Sequence, residues 1–246
     1  MSDTTEQTVN EAPGAPDVVG RGPGETELTV SPRRAVARAH WALVVFGIIL
    51  CAYAGLAVLA RAYAYFAWDL KVNHAIRAVS LPGFEPLMIG LSWLGSGLVP
   101  TILVFVAGVG LYAARFRLEG VLCMIGVSLG AGMNGLTKLI VARPRPDASL
   151  IEVMRQYQHN SFPSGHVEFF VTYFGFLLFL SYVLLKRGWL RRVCCAVFGL
   201  LIALIGVSRV YLGAHWPSDT VGAYLAGGLW LALMIELYRR LKARQK

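Results

Sequence analysis

Charged side chains are scarce in this chain: Asp, Glu, Lys and Arg make up 15% of the 246 residues, whereas 56% are hydrophobic. A soluble domain of this length rarely carries so few charges. The scarcity argues for a membrane protein, because apolar side chains in contact with lipid need no polar cover.

Cysteine is also rare, and all four cysteines lie inside apolar runs. They do not have the spacing of a zinc site. Cys194 and Cys195 are adjacent within one apolar run, which argues against a disulfide framework. We interpret the four as packing residues and expect no metal at them.

A continuous basic domain is missing, although the net charge is +9. The basic residues form short clusters between apolar runs, which is the charge pattern of a membrane protein and not that of a nucleic-acid-binding surface. We therefore expect no nucleic-acid partner, and nothing in the chain indicates an obligate protein partner.

Apolar content is low in residues 1–32, which hold four prolines and several glycines. Such a segment cannot bury enough surface to offset the entropy of ordering, so the sequence predicts a disordered tail. The tail has no apolar core like that of a signal peptide, and we expect no cleavage. Residues 33–246 are predicted to form one membrane domain.

Six long apolar stretches follow, each close to the ~20 residues that cross a hydrocarbon core of ~30 Å. They predict an all-α polytopic membrane protein with six transmembrane helices. Gly95, Ser96, Gly97 and Pro100 interrupt the second stretch and predict a bend there. The predicted spans are residues 41–60, 88–113, 118–140, 166–185, 193–210 and 218–238.

The distribution of Lys and Arg predicts the orientation. With the N-terminus in the cytoplasm, the inner segments hold 14 of these residues and the outer loops hold eight, as the positive-inside rule requires. Both termini are then cytoplasmic. We expect the protein in a bacterial inner or cell membrane.

Three polar clusters break the apolar pattern: KLIVARPRP at 138–146, SFPSGH at 161–166 and SRVYLGAHWPSD at 208–219. They lie at the end of span three, at the start of span four, and between spans five and six. Spans three and five run outward and spans four and six run inward. The topology therefore brings all three clusters to the extracytoplasmic face, where the active site is predicted.

Lys138, Arg145 and Arg209 are three cations that converge at this face. Cations at the edge of a low-dielectric region are costly and need an anion, and phosphate suits the planar fork of arginine and the point charge of lysine. Ser164 and Gly165 precede span four, where helix N–H groups can bind the same anion. Arg143 and Arg155 are interpreted as contacts to lipid headgroups.

Two histidines and one acid complete the predicted chemistry. Asp219 follows His215 by four residues, one helical turn, so its carboxylate can orient the imidazole and leave the other ring nitrogen free to attack. His215 is therefore the candidate nucleophile and His166 the candidate proton donor. His40, His74 and His159 are interpreted as structural.

These clusters resemble the signature of the type 2 phosphatidic acid phosphatase family, Lys-x6-Arg-Pro, Pro-Ser-Gly-His and Ser-Arg-x5-His. The matching residues here are 138–146, 163–166 and 208–215. The resemblance implies a six-helix fold and a mechanism without metal or cofactor. It assigns phosphate binding to five residues: Lys138, Arg145, Ser164, Gly165 and Arg209. It assigns catalysis to three: His215 as the nucleophile, His166 as the general acid and Asp219 as the carboxylate that orients His215.

Several polar residues lie outside that signature. Glu168 either faces a cavity with a hydrogen-bond partner, or shapes a headgroup pocket or tunes His166. Asn134, one turn before Lys138, either holds that lysine or packs between spans. Arg155 and His159, in the 147–162 loop, are also candidates for headgroup contact.

The sequence thus predicts a membrane phosphatase that hydrolyses a lipid phosphate or diphosphate through a phosphohistidine, with the lipid entering from the bilayer. A lipid phosphotransferase would use the same intermediate, and a lipid-binding or transport protein is an alternative of another class. Phosphatidate, phosphatidylglycerol phosphate, undecaprenyl diphosphate and sphingoid phosphates share the phosphate that these motifs contact, so the substrate stays open.

Overall fold

The computed structural model describes residues 32–154 and 159–245, which form helices and connecting loops without a strand. Residues 1–31 and Arg155 lie outside this range, so the disordered tail and the headgroup contact of Arg155 stay predictions. The helices are α1 (Pro32–Ala62), α2 (Ala67–Arg77), α3 (Phe84–Leu94), α4 (Val99–Ala113), α5 (Arg117–Val141), α6 (Gly165–Phe169), α7 (Gly175–Leu184), α8 (Trp189–Tyr211) and α9 (Pro217–Ala243).

The chain divides into two compact units, one that ends at Trp41 and one that begins at Ala42. Of the first unit, the structure describes only the opening turns of α1, residues 32–41. The fold and the site described below belong to the second unit.

Five helical segments in the described residues are long and apolar enough to cross a membrane, and there are six if the bent pair α3 and α4 is one span. The axes of α3 and α4 differ by 62° across the break at residues 95–98, which confirms the bend predicted from Gly95 to Pro100. The protein is an all-helical integral membrane protein, as the apolar stretches predicted.

Helices α5 and α9 pack against the span made by α6, α7 and the π-helical turn Phe170–Phe174 between them. Small residues on α5 allow this close packing, as expected in lipid. A Cβ at Gly126 would lie 2.5 Å from Met234, and the Trp230 indole donates to the Gly126 carbonyl at 2.8 Å. The glycines of α5 thus fix its distance from α9.

Helix α2 lies in the connection between the first two predicted spans, which the sequence analysis left without structure. Its Asp69 and Asn73 are fully buried, and the Asn73 side chain donates to the carbonyl of Val210 at the end of α8. Arg77 forms an ion pair of 2.5 Å with Glu152 in the loop after α5. The short helix therefore packs against the helix ends that carry the predicted site.

Candidate active site

The ends of four helices meet at the candidate site: the C-termini of α5 and α8 and the N-termini of α6 and α9. Ser164 N–H, at the start of α6, donates to the carbonyl of Asp219 on α9, and Ser161 N–H donates to the carbonyl of Arg143 after α5. The three polar clusters, up to 81 residues apart in the chain, are in contact as predicted.

Helix α5 ends with Ala142 in the left-handed region, at a φ of 52°, and its N–H caps the Lys138 carbonyl at 2.9 Å. A non-glycine residue pays a steric cost there, and such conformations persist where the surrounding structure holds them. The turn sends the chain sharply away from the helix, so that Arg143 and Arg145 both enter the protein beside α9.

Three cations surround the centre of the site. The Lys138 ammonium donates to the carbonyls of Asn160, Ser161 and Pro163 at 3.0, 3.3 and 2.6 Å. Arg145 donates to the carbonyls of His159 and Ala214, at 2.5 and 2.6 Å. Lys138 therefore joins the end of α5 to the loop before α6, and Arg145 joins that loop to the turn before α9.

Arg209, the third cation, lies in the last turn of α8, and its side chain is completely buried. Its guanidinium donates to the Ser92 hydroxyl on α3. The neighbouring Ser208 hydroxyl donates to the Met88 carbonyl at 2.6 Å. Helices α3 and α8 are thus joined at the level of the site.

Ser164 occupies the position before the first residue of α6, and Gly165 begins the helix. The Ser164 hydroxyl is fully buried and has no hydrogen-bond partner among the described residues. Buried hydroxyls are nearly always paired. An oxyanion held at this helix N-terminus would supply the acceptor.

His215 lies between a carboxylate and a cation. Its Nδ1 faces Asp219 Oδ2 at 3.5 Å, and its Nε2 lies 3.3 Å from the Arg145 guanidinium. The first distance exceeds that of an ordinary hydrogen bond, as is common in catalytic groups before substrate binds. The geometry matches the predicted pairing of His215 with Asp219, and it leaves Nε2 on the side of the cations.

Burial holds the pKa of His215 well below its ordinary value, and the nearby charges of Arg145, Lys138 and Arg209 lower it further. Desolvation and positive neighbours both disfavour the imidazolium. His215 is therefore neutral at neutral pH, which is the state in which an imidazole nitrogen is nucleophilic.

His166 enters the site from the first turn of α6 and interacts electrostatically with His215. Its Nε2 lies 3.0 Å from the Ser96 hydroxyl, which itself donates to the Ser92 carbonyl at 2.8 Å. The Ser96 hydroxyl oxygen therefore accepts a hydrogen bond from His166 Nε2. A Cβ at Gly95 would lie 2.5 Å from the imidazole ring, so only glycine fits there.

Asp219 is held from several sides. Its Oδ2 accepts hydrogen bonds from the Ser161 hydroxyl and, at 2.9 Å, from the Trp216 N–H at the start of α9. Its Oδ1 accepts from Arg143 at 2.6 Å. Asp219 thus caps a helix, faces His215 and forms an ion pair, so its position is strongly determined.

The interpretation of Arg143 as a headgroup contact is wrong. Its side chain is completely buried and forms ion pairs with both Asp219 and Asp69, at 2.6 and 3.1 Å. It also donates to the Ser218 hydroxyl, and Asp69 accepts from the N–H and hydroxyl of Ser218 at 2.8 Å each. A buried arginine between two buried acids needs all these bonds to offset its desolvation.

Residues 119–243, half of the chain, match the sequence model of a family described as the PAP2 superfamily. The chain belongs to the PAP2 superfamily. This match confirms the resemblance inferred from the three motifs, all of which lie inside the matched range.

Two curated PAP2-type relatives align over most of their length. Phosphatidylglycerophosphatase B of Bacillus subtilis is 27% identical over 180 residues, 72% of this chain and 87% of that protein. The undecaprenyl-diphosphatase of Sulfolobus acidocaldarius is 26% identical over 79% of this chain and 88% of that protein.

A solved structure shares the fold. The transmembrane PAP2-type phosphatidylglycerolphosphate phosphatase of Bacillus subtilis superposes with a TM-score of 0.66 over 79% of this chain and 96% of that chain, at 23% sequence identity. The two chains therefore share the same arrangement of helices.

The remaining predicted residues occupy different places in the PAP2 site. Asn134 on α5 donates to the Glu168 carboxylate on α6, and both side chains are buried. His159 is exposed, and its carbonyl accepts a hydrogen bond from Arg145. Its headgroup contact stays a prediction.

Several residues of the site went unrecognised in the sequence: Asp69, Ser92, Ser96 and Ser218. One signal was present for Asp69, because it is an isolated acid in an apolar segment that the topology places at the same face as Arg143. The serines carry no such signal.

Proposed function

We propose that this chain is a membrane lipid phosphatase that hydrolyses a lipid phosphate or lipid diphosphate through a phosphohistidine on His215. The observation that carries the proposal is the placement of a buried, neutral His215 between Asp219 and Arg145, at 3.5 and 3.3 Å. An oriented imidazole with one nitrogen at a cationic centre is suited to attack on phosphorus.

In the first step the phosphate binds Lys138, Arg145 and Arg209 together with the N–H groups at the start of α6. His215 Nε2 attacks phosphorus, the bond between phosphorus and the departing oxygen breaks, and His166 gives a proton to that oxygen. Fixed cations stabilise the charge on the equatorial oxygens of the transition state.

In the second step water attacks the phosphohistidine. His166 takes a proton from the water, the bond between phosphorus and Nε2 breaks, and inorganic phosphate leaves with the imidazole restored. No metal or cofactor takes part in either step as proposed.

A cavity of about 250 Å³ between α4 and α5 supports entry of the lipid from the bilayer. Its walls are mainly apolar, which suits a hydrocarbon chain, and its lining includes Val104, Phe105, Met124, Val127 and Phe169. We place the lipid chain there. The relatives' names mention phosphatidylglycerophosphate and undecaprenyl diphosphate, and lipids of the phosphatidate, phosphatidylglycerol phosphate or undecaprenyl diphosphate type are the proposed substrates.

The decisive measurement is phosphate release from these lipids by protein purified in detergent. His215→Ala should abolish phosphate release. Wild-type protein incubated with radioactively labelled lipid should carry phosphate in an acid-labile bond, and the His215→Ala protein should carry none. His74→Ala, at an exposed histidine on α2, is the matched control and should behave as wild type. Equal release by His215→Ala and wild type would refute the mechanism, and turnover that requires an added alcohol would show a phosphotransferase.

The orientation of the site is proposed from the charge pattern: both termini in the cytoplasm and the site outside. Ser149 is exposed in the loop after α5. Ser149→Cys should react with a membrane-impermeant thiol reagent added to intact cells, above the background of wild type. Labelling only after the cells are permeabilised would place the site in the cytoplasm.

A further inference from the structure

A buried acid lies beside the phosphate-binding residues, although an anion site is where a carboxylate is least expected. Glu168 is 5% exposed and lines a cavity of about 80 Å³ below the start of α6. One of its oxygens accepts a hydrogen bond from Asn134; the other has no hydrogen bond to any described residue. The mechanism proposed above does not use this acid.

Glu168 lies close to residues that are proposed to bind the phosphate. A Cβ at Gly165 would lie 3.4 Å from Asn134 Oδ1 and 4.0 Å from the Lys138 side chain. The other end of the same Asn134 amide donates to Glu168. A single amide group therefore separates the phosphate-binding glycine from the carboxylate.

The small cavity adjoins the place proposed for the lipid chain. Its lining shares Val127, Ala131 and Phe169 with the larger cavity between α4 and α5. If a lipid has its phosphate at Gly165 and its hydrocarbon chain in the larger cavity, the atoms between the phosphate and the chain would lie beside Glu168.

A carboxylate in this position opposes binding of an anionic phosphate and loses hydration. A bound lipid that supplies a hydrogen-bond donor there would offset both costs. Polar groups at membrane depth are mostly functional for this reason.

We propose that Glu168, held by Asn134, is a specificity-determining subsite for a donor group on the carbon next to the one that bears the phosphate. The donor is a hydroxyl or an ammonium. The preferred substrates are therefore lipid phosphates with such a group, such as a glycerol phosphate with a free neighbouring hydroxyl or a sphingoid base phosphate. Polyprenyl phosphates and fully acylated phosphatidate lack it. This inference rests on the proposed phosphatase function.

The test uses two lipids that differ only at this carbon and a third, of the sphingoid class, that carries an ammonium there. Lysophosphatidate carries a hydroxyl there, its 2-deoxy analogue carries hydrogen, and sphingosine 1-phosphate carries an ammonium. A hydrogen bond to a charged group contributes ~1.5–3 kcal/mol, so wild type should show a kcat/KM about 10- to 100-fold higher on a lipid with the donor than on the deoxy analogue.

Two variants of Glu168 separate the two donors. Glu168→Leu should bring the kcat/KM values of lysophosphatidate and its deoxy analogue to within about threefold of each other and should lower that of sphingosine 1-phosphate relative to the deoxy analogue. Glu168→Gln keeps an oxygen acceptor but no charge, so it should retain part of the preference for the hydroxyl and lose most of the preference for the ammonium. Glu236→Gln, at a half-exposed acid that pairs with Arg240 on α9, is the control and should keep the wild-type ratios.

The outcomes are distinct. Comparable wild-type rates on all three lipids, or unchanged ratios in both Glu168 variants, would overturn the subsite and leave the phosphatase intact. Phosphate release by His215→Ala would overturn the phosphatase mechanism itself. If both Glu168 variants fail to fold, the wild-type ratios on the matched lipids decide alone.

Discussion

Replacing Arg143 by methionine tests whether this arginine holds Asp219 in place for His215. The guanidinium forms buried ion pairs with Asp69 and Asp219 at 3.1 and 2.6 Å, and all three side chains are completely buried. Methionine has similar length and no charge, so the substitution leaves two buried carboxylates without their cation.

The expected loss can be worked from the burial. Removing one partner of a buried ion pair costs about 3–5 kcal/mol, so Arg143→Met should lower the free energy of unfolding in detergent by about that amount. The kcat should fall by at least tenfold while KM changes less, because Asp219 loses one of the contacts that orient it. Adding Asp69→Asn removes one uncompensated charge and should recover at least 1 kcal/mol, a coupling that a double-mutant cycle measures.

Arg240→Met is the matched control, because Arg240 pairs with Glu236 at a similar distance of 2.7 Å with side chains that are 73% and 50% exposed. Exposed pairs of this kind contribute ~0–1 kcal/mol. Arg143→Met with the stability and kcat of Arg240→Met would refute the role given to the buried arginine.

Three further predictions follow from the site. Gly95→Ala should lower kcat because its Cβ would displace His166, whereas Gly90→Ala, where no atom lies within 4 Å, should leave phosphate release unchanged; equal rates in the two variants would contradict the close approach. Because the pKa of His215 is lowered in the folded protein, kcat/KM should persist as the pH falls through 6.5, and a steep loss of kcat/KM centred near 6.5 on a substrate of fixed charge would argue against the lowered pKa. In the unfolded state His215 should bind a proton below pH 6.5, so the free energy of unfolding should fall below that pH, and it should fall less in His215→Gln. Phosphate release should survive prolonged chelation with EDTA, and recovery of a lost rate by one added divalent metal would refute the metal-free mechanism.

The positions of the candidate catalytic and phosphate-binding groups were predictable because they depend on helix ends. Lys138, His166 and Arg209 each lie within a turn of a predicted span boundary, and alternating helix directions bring such boundaries together. The pairing of His215 with Asp219 was predicted from their spacing of one helical turn, although His215 lies just before the start of α9. The bend at Gly95–Pro100 was predictable from glycine and proline, and the structure confirms it.

Contacts that depend on packing were not predictable. Arg143 and Asp69 are 74 residues apart, and no periodicity relates them, so an arginine two residues from a phosphate-binding one appeared to be exposed. Asp69 was visible as an isolated acid in the connection that holds α2, but its ion pair with Arg143 is visible only in three dimensions. Ser96, in the break after α3, likewise contacts His166 through packing that no sequence pattern predicts.

The break between α3 and α4 separates two tasks within one membrane crossing. Helix α3 forms hydrogen bonds with α8 through Ser92 and Ser208, and the break itself holds Ser96, which contacts His166. Helix α4, in contrast, packs along α5 and lines the apolar cavity. None of the proposed phosphate-handling residues lies on α4. Evolution can therefore remodel this half of the crossing to suit tails of different length or branching while the reactive centre stays as it is.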